Sequence, residues 1–247
     1  MTFSDIRNAY QLFGCRDFCH RAMRRILDPM VPLLSYAQVG EDIIVEQLFH
    51  SLGVRFPSYL EIGTNHPKLG NNTYKLYRKG CRGVLIEADV SLIPLIKRVR
   101  PKDKVLNIGV GETGGHSMKF FVFSLSGLNT FDLKEAELRQ NMGERLKRVI
   151  DVPVQSINAV ISENFQERPD FLSLDIEGLD MPVLKSLDIQ KYPIPVMCVE
   201  TCLFSQTYIK ETDVEIISFM ESIGYFVYAN TYINSIFVNN AWFSRLR

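Results

Sequence analysis

The sequence lacks the features that mark several classes of protein. Its 28 basic and 28 acidic residues leave no formal net charge, which argues against general binding to a nucleic-acid backbone. No apolar run approaches the ~20 residues that a membrane-spanning helix needs. The N-terminus has no basic flank followed by an apolar segment, so we expect neither a transmembrane segment nor a secretion signal.

Cysteine is scarce, and its spacing does not suggest a metal site. The five cysteines are an odd number, and neither close pair has the two-residue gap of a zinc knuckle. They lie at positions 15, 19, 81, 198 and 202. We therefore expect free thiols in a reducing compartment, which favours a cytoplasmic protein.

From residue 36 onward the chain alternates between strand-like and helix-like segments. Apolar runs at 59–63, 84–88 and 171–175 predict buried strands, and segments with helical spacing lie between them. Strands that alternate with helices indicate a parallel sheet covered on both faces. The last segments, YFVYAN and SIFVNN, predict an antiparallel hairpin at the edge of that sheet.

The middle of the chain carries three narrower predictions. The segment DKVLNIGVG is predicted as one strand and SMKFFVF as another, whereas the charged residues 133–150 are predicted as a helix. The loop at 109–114 has the spacing GxGxxG of a dinucleotide site, but a strand follows it where that site requires a helix. We therefore predict a tight turn at this loop, and we reject nicotinamide binding there.

Residues 1–35 differ from the domain predicted over residues 36–247. Phe18, Ala22 and Ile26 recur at helical spacing with arginines between them, which predicts an amphipathic helix. Three roles stay open for this extension: a helix packed on the domain, a homodimer contact, and binding to a membrane surface.

Polar residues follow the first two predicted strands, where an open α/β sheet binds its ligands. Gly63 permits a tight turn and a close approach of a ligand. Asn71, Asn72 and Thr73 open a helix whose free N–H groups favour a carboxylate. Glu87 ends the second strand, where a carboxylate can accept both hydroxyls of a ribose. An adenosine that carries an amino-acid tail fits both features.

Three acids crowd the end of a later strand, namely Asp175, Glu177 and Asp180. Such a group is costly unless it is solvated, paired or used, and helix capping explains only Asp180 well. The acids can orient a substrate hydroxyl, act as a general base or bind a divalent cation. His66 is a further candidate base, because it follows the first cofactor loop and histidine commonly serves near neutral pH.

Six motifs follow one another over roughly residues 35–200: SYAQVGEDIIVEQLF, YLEIGTNHP, NNTYKLYRKGCRGVLIEAD, SGLNT, VPVQSI and FLSLDIEGLDMPVLKSL. This ordered set resembles the FkbM family of S-adenosylmethionine-dependent methyltransferases. The resemblance implies an α/β class I methyltransferase (Rossmann-like) fold, with a mostly parallel seven-stranded sheet, helices on both faces and a C-terminal antiparallel hairpin. It also implies S-adenosyl-L-methionine as cofactor and O-methylation of a hydroxyl on a sugar or another small metabolite.

The resemblance also implies roles for individual residues of this chain that match the family's motifs. The residues expected at the cofactor are Gln38, Glu41, Glu61, Gly63, Asn65, Asn72, Thr73, Glu87 and Asp175. The catalytic candidates are Asp175, Glu177 and His66, and no residue is assigned to a metal. Polar residues of one loop are expected in the acceptor pocket, with Glu200 beside it: Ser126, Asn129 and Thr130. The alternative is a non-catalytic Rossmann-like module that acts as a subunit or scaffold.

Overall fold

A computed structural model of the chain describes residues 34–176, 178–203 and 211–245. The predicted N-terminal helix, with its proposed dimer or membrane contact, lies outside the described residues, as does Glu177. The boundary between residues 1–35 and the domain at 36–247 therefore stays a prediction.

Seven strands form the central sheet. They are β1 (Tyr59–Ile62), β2 (Gly83–Ile86), β3 (Lys104–Leu106), β7 (Phe171–Leu174), β8 (Val196–Glu200), β11 (Tyr225–Asn230) and β12 (Asn234–Asn239). Their order is β11-β12-β8-β7-β1-β2-β3. β1 pairs in parallel with both β2 and β7, so the order reverses at β1. The predicted mostly parallel, seven-stranded sheet is confirmed, and the reversal is where such folds bind ligands.

The predicted antiparallel C-terminal hairpin is confirmed, and it lies at the edge of the sheet. β12 lies between β8 and β11 and runs antiparallel to both, so β11 forms the edge. All six residues of β12 are buried, and the neighbouring side chains of Ile236 and Phe237 enter the cores on opposite faces. A strand that is apolar on both faces is stable only inside the sheet.

Helices cover both faces of the sheet, as predicted. The described helices are α1 (Glu41–Ser51), α2 (Tyr74–Arg78), α3 (Ile93–Val99), α4 (Leu133–Asn141), α5 (Ile157–Asn164), α6 (Asp180–Ser186), α7 (Val214–Ser222) and α8 (Asn240–Arg245). Helices α5, α6 and α7 pack on the face that carries Leu60 and Ile62. Helices α1, α2 and α3 pack on the face that carries Tyr59. Among the described helices, none has the length and apolarity to cross a membrane.

The part of the chain between β3 and β7 forms a second sheet, which has three strands. It contains β4 (Gly109–Gly111), β5 (His116–Phe123) and β6 (Leu146–Ser156) in the order β4-β6-β5. The single strand predicted over DKVLNIGVG is therefore two strands, β3 and β4, in different sheets. The helix predicted over 133–150 ends at Asn141. Its last residues instead join β6, because pairing with β5 satisfies their backbone groups. A two-stranded ribbon, β9 (Cys202–Leu203) with β10 (Glu211–Thr212), completes the described strands.

Candidate active site

A cleft opens at the carboxyl ends of β1, β2 and β7. Its opposite wall comes from β4, β5 and the 3₁₀ turn Ser126–Leu128. Of the polar residues predicted for this region, the structure brings Asn65, Glu87 and Asp175 together in the lining, with Ser126 and Asn129 across from them. Thr130 is fully buried, and its hydroxyl accepts the N–H of Asp132.

Gly63 joins the three strand ends that form the cleft. Its backbone has a φ of +85°, and its N–H donates to the carbonyl of Ile86 on β2 at 3.1 Å. A Cβ atom at this position would lie 1.9 Å from the carbonyl oxygen of Asp175. Only glycine allows both the left-handed turn and this approach of β1 to the residue after β7. The segment YLEIGTNHP therefore requires glycine at position 63, because of this backbone conformation and this close contact.

Asn65 presents an unused acceptor at the cleft. It has the left-handed φ of +48°, and its N–H donates to Oε2 of Glu87 at 2.7 Å. Its side-chain Oδ1 is buried and has no hydrogen-bond partner among the residues that the structure describes. A buried acceptor of this kind requires a donor, and a ligand ammonium group supplies one. The residue therefore fits the amino-acid end of S-adenosylmethionine.

Glu87 is held in place by two backbone amides. Its Oε1 accepts the N–H of Asp89 at 2.7 Å, as Oε2 accepts that of Asn65. Burial raises the pKa of Glu87 to about 7, although both amide bonds act in the opposite direction. Each carboxylate oxygen can still accept one further hydrogen bond, which is what two ribose hydroxyls require.

The inner part of the cleft is apolar and suits a flat ring. It is lined by Ile86, Ala88, Ile108, Val110, Phe120 and Phe131. The rings of Phe120 and Phe131 have centroids 4.6 Å apart. Gly109 and Val110 lie in strand β4, and β5 follows without an intervening helix. The strand predicted after this GxGxxG loop is therefore present, so no helix begins where a dinucleotide site requires one. Gly109 and Val110 line the cleft.

Asp175 lies at the end of the cleft beyond β7. Its N–H donates to the carbonyl of Ile62 at 3.1 Å. Burial raises the pKa of Asp175 to about 7, the charges of Asp180 and Glu61 act in the same direction, and a hydrogen bond with Glu200 opposes them. Asp180 accepts the N–H of Ile176, which lies before helix α6, at 3.3 Å. The N-cap of α6 is Leu179 and no side chain caps it, so the predicted capping role of Asp180 is wrong. Asp175 is thus a carboxyl group that can take up and release a proton near neutral pH.

Three predicted cofactor residues point away from the cleft. Oε2 of Glu61 accepts from Asn71 at 2.9 Å and from Arg100 at 3.3 Å. The amide of Asn72 donates to Ser173 Oγ at 3.1 Å. The fully buried Thr73 bonds through its hydroxyl to Asn71. Direct cofactor contact stays a prediction for these residues, whereas the structure shows them behind the cleft, where they fix its walls.

Glu41 and Gln38, two further residues predicted at the cofactor, also lie outside the cleft lining. Oε1 of the fully buried Glu41 accepts from Thr231 at 2.6 Å and from Asn234 at 3.0 Å, which ties α1 to the C-terminal hairpin. Gln38 is exposed, and its Cγ would lie 3.6 Å from a Cβ built on Gly70, so it borders the loop after Gly63. Neither side chain lines the cleft.

His66 has a structural task in the same loop. Its Nδ1 accepts the N–H groups of Lys68 at 3.1 Å and Leu69 at 2.9 Å. A neutral ring with Nδ1 in use as acceptor carries its proton on Nε2, which can then only donate. This geometry opposes the predicted role as general base and agrees with the alternative of a loop residue bonded to the backbone.

The sequence left open whether a metal ion binds to the acids after β7, near Asp175. Within the described residues, which leave out Glu177, no group of three or more His, Cys, Asp and Glu side chains is arranged to bind an ion.

Sequence reasoning missed Arg100. The residue ends the basic segment IKRVR, where Lys97 and Arg98 are exposed, and nothing in the sequence distinguishes it from them. In the fold it is fully buried and bonds to Glu61, Asn71 and Asp103.

The raised pKa of Glu87 predicts a pH-dependent stability. Between its ordinary value of 4.5 and about 7 the folded protein binds this proton and the unfolded chain does not. The free energy of unfolding therefore falls as pH rises through this window, by at most ~1.4 kcal/mol per pH unit for one group. Glu87→Gln should flatten this slope in urea unfolding, and the exposed Glu112→Gln should leave it unchanged. An identical slope in Glu87→Gln would contradict the prediction.

The fold and the cleft define the class of protein. A doubly wound sheet with the order β11-β12-β8-β7-β1-β2-β3, and a cleft that fits an adenosine with an amino-acid tail, is a class I methyltransferase domain. The sequence profile described as Methyltransferase FkbM domain matches residues 61–227, more than half of the chain. The chain belongs to the FkbM family of methyltransferases, and its cofactor is S-adenosylmethionine.

Three solved structures are similar to the chain at low identity. The 1,6-didemethyltoxoflavin-N1-methyltransferase of Burkholderia thailandensis, bound to 1,6-didemethyltoxoflavin and S-adenosylhomocysteine, is 10% identical, with a TM-score of 0.40 over 81% of this chain and 77% of that one. Monomeric WbdD is 14% identical, with a TM-score of 0.43 over 87% and 48%. An O-methyltransferase from Bacillus cereus, in complex with S-adenosylhomocysteine, is 14% identical, with a TM-score of 0.41 over 95% of both chains. No curated protein matches the sequence.

Proposed function

We propose that this methyltransferase acts on a hydroxyl group of a small-molecule acceptor, such as a saccharide. The observation that carries the proposal is Asp175, a carboxyl group at the end of the cleft with a pKa of about 7. A hydroxyl loses its proton on methylation, and a sugar hydroxyl is too weak an acid to lose it beforehand. A base that is partly ionised at neutral pH meets that need.

The proposed cofactor orientation follows from the cleft lining. Glu87 accepts the two ribose hydroxyls, the apolar wall with Phe131 holds the adenine, and Asn65 accepts from the amino group of the methionine end, close to Gly63. When bound, S-adenosylmethionine supplies an electrophilic methyl group on its sulfonium. In this orientation the methionine end of the cofactor, which includes the sulfonium, is directed toward Asp175.

In the proposed mechanism Asp175 removes the acceptor proton and orients the hydroxyl oxygen. Burial keeps the pKa of Asp175 high, the negative charges of Asp180 and Glu61 add to this effect, and a hydrogen bond with Glu200 opposes it. Glu177 remains a second proposed catalytic acid. We assign the base to Asp175 in preference to His66, whose Nδ1 is already an acceptor of two backbone amides.

The acceptor class is tested with labelled cofactor. The protein is incubated with methyl-labelled S-adenosylmethionine and fractionated metabolites of its host, and labelled products are identified by mass spectrometry. A methyl ether on a small metabolite is the expected product. A methyl group on nitrogen or carbon would overturn the proposed hydroxyl chemistry, and an absence of calorimetric binding at high micromolar S-adenosylmethionine would overturn the cofactor orientation.

The ribose contact predicts a measurable loss of affinity. Glu87→Ala should weaken binding of S-adenosylhomocysteine by roughly 1–3 kcal/mol, because two hydroxyl groups lose a charged acceptor. Isothermal titration calorimetry measures the change, with the exposed Glu112→Ala as the matched control. Affinity equal to that of the unmodified protein would remove Glu87 from the cofactor site.

A further inference from the structure

A buried arginine lies behind β1, on the opposite side from the cleft. Arg100 follows α3 and is fully buried. Its Nε donates to Asp103 at 2.7 Å, and its Nη1 donates to Glu61 at 3.3 Å and to Asn71 at 3.1 Å. The guanidinium carbon lies within 5.3 Å of the centroids of two tyrosine rings. A charge this well enclosed is retained only with partners that balance it, and Glu61 and Asp103 do so.

Asn71 connects this arginine to the loop that forms the cleft. Its Oδ1 also accepts the N–H groups of Thr73 at 3.2 Å and Tyr74 at 2.8 Å, which caps helix α2. Its Nδ2 donates to Glu61 at 2.9 Å and to the carbonyl of Thr64 at 3.5 Å. One side chain thus fastens the loop at both ends, at Thr64 and at the start of α2. The position of Asn71 depends in turn on the two buried charges it contacts.

The beginning of this loop carries the cleft contacts. Asn65 follows Thr64 directly and holds its left-handed backbone by donating to Glu87. A shift of Thr64 therefore moves both the unused Oδ1 of Asn65 and the amide that fixes Glu87. These are the contacts assigned to the methionine end and the ribose of the cofactor.

We propose that Arg100 is a positioning residue for cofactor binding: through Glu61 and Asn71 it sets the conformation of the loop from Thr64 to Asn72. Neither Arg100 nor Glu61 lines the cleft, so the effect is transmitted by the loop. The proposal rests on the cofactor orientation given above. The planar guanidinium bonds three partners at once in fixed directions, which a lysine ammonium on a flexible stem does not reproduce.

Three variants test the proposal. Arg100→Lys keeps the positive charge without the planar guanidinium. Glu61→Gln with Arg100→Met removes both charges of that pair and leaves Asp103 with its hydrogen bonds from Tyr59 and Gly83. The matched control is Arg98→Met, because Arg98 is an exposed arginine at the end of α3. Binding of S-adenosylhomocysteine is measured by calorimetry, thermal unfolding by circular dichroism, and KM and kcat with labelled cofactor.

Both Arg100 variants should bind S-adenosylhomocysteine roughly tenfold or more weakly, and the KM for S-adenosylmethionine should rise by the same factor. In Arg100→Lys, which keeps the charge of Glu61, kcat should change little. Arg98→Met should match the unmodified protein. Unchanged affinity in either folded Arg100 variant, with only its melting temperature lowered, would show a purely stabilising role and overturn the proposal. If the double variant does not fold, Arg100→Lys decides. Failure of the unmodified protein to bind would instead overturn the cofactor orientation itself.

Discussion

Asp175→Asn is expected to lower kcat for methyl transfer by ~10²–10⁴-fold, the usual contribution of a positioned general base. The asparagine has the shape of the aspartate and keeps the backbone bond to Ile62 at 3.1 Å, but its amide cannot take up the acceptor proton. The affinity for S-adenosylhomocysteine should change much less than kcat. Single-turnover assays with labelled cofactor and calorimetry measure the two quantities separately.

The pH dependence provides an independent test of the same residue. Because the base acts only when ionised and the pKa of Asp175 is about 7, kcat should rise about tenfold per pH unit below that value and level off above it. Asp175→Asn should abolish this dependence. The exposed Asp151→Asn is the control and should retain both the rate and its pH profile. A rate within threefold of the unmodified protein in Asp175→Asn would remove Asp175 as the base (roughly 0.7 kcal/mol in activation free energy).

Gly63→Ala is expected to abolish cofactor binding and to destabilise the fold. The added Cβ would lie 1.9 Å from the Asp175 carbonyl oxygen, and the φ of +85° is unfavourable for alanine. Backbone strain of ~1–2 kcal/mol and overpacking of ~1–3 kcal/mol together lower the free energy of unfolding by several kcal/mol. Because β1 and the residue after β7 must separate, we also expect affinity for S-adenosylhomocysteine to fall roughly 100-fold or more.

Gly53→Ala separates the two causes. Gly53 has a similar φ of +75°, but nothing lies within 4 Å of a Cβ built there. This variant should lose only ~1 kcal/mol from backbone strain and should bind the cofactor normally. Urea unfolding and calorimetry on both variants make the comparison. Equal losses at Gly53 and Gly63 would mean that the close contact with Asp175 has no special cost.

The sequence predicted the strands of the central sheet but gave no order for them. Apolar runs identified the strands β1, β2 and β7, since a chain segment with such a run must be buried. They did not give the position of β12 between β8 and β11. That position depends on which strands lie beside β12 in the folded sheet. For residues 146–150 the charged side chains favoured a helix, and only pairing with β5 made them a strand.

In the site, too, the sequence predicted what depends on local spacing and missed what depends on contacts between distant segments. The sequence alone predicted that Gly63, Glu87 and Asp175 lie together, and the structure places all three in the cleft lining, because strand ends that carry a turn-forming glycine or acids are recognisable from spacing. It did not distinguish Glu61 from these acids. Side chains alternate along a strand, so Glu61 turns to the face opposite Ile62 and meets Arg100, a partner 39 residues away.

The amino-acid sequence by itself determined the α/β class, the family motifs and the positions of the strand-end residues, because all of these depend on local spacing. The tertiary structure decided which carboxyl groups face the cleft, that His66 serves its own loop, and that Arg100 lies beneath the cofactor loop. Burial and hydrogen-bond partners assign those roles, and both exist only after distant segments have packed together.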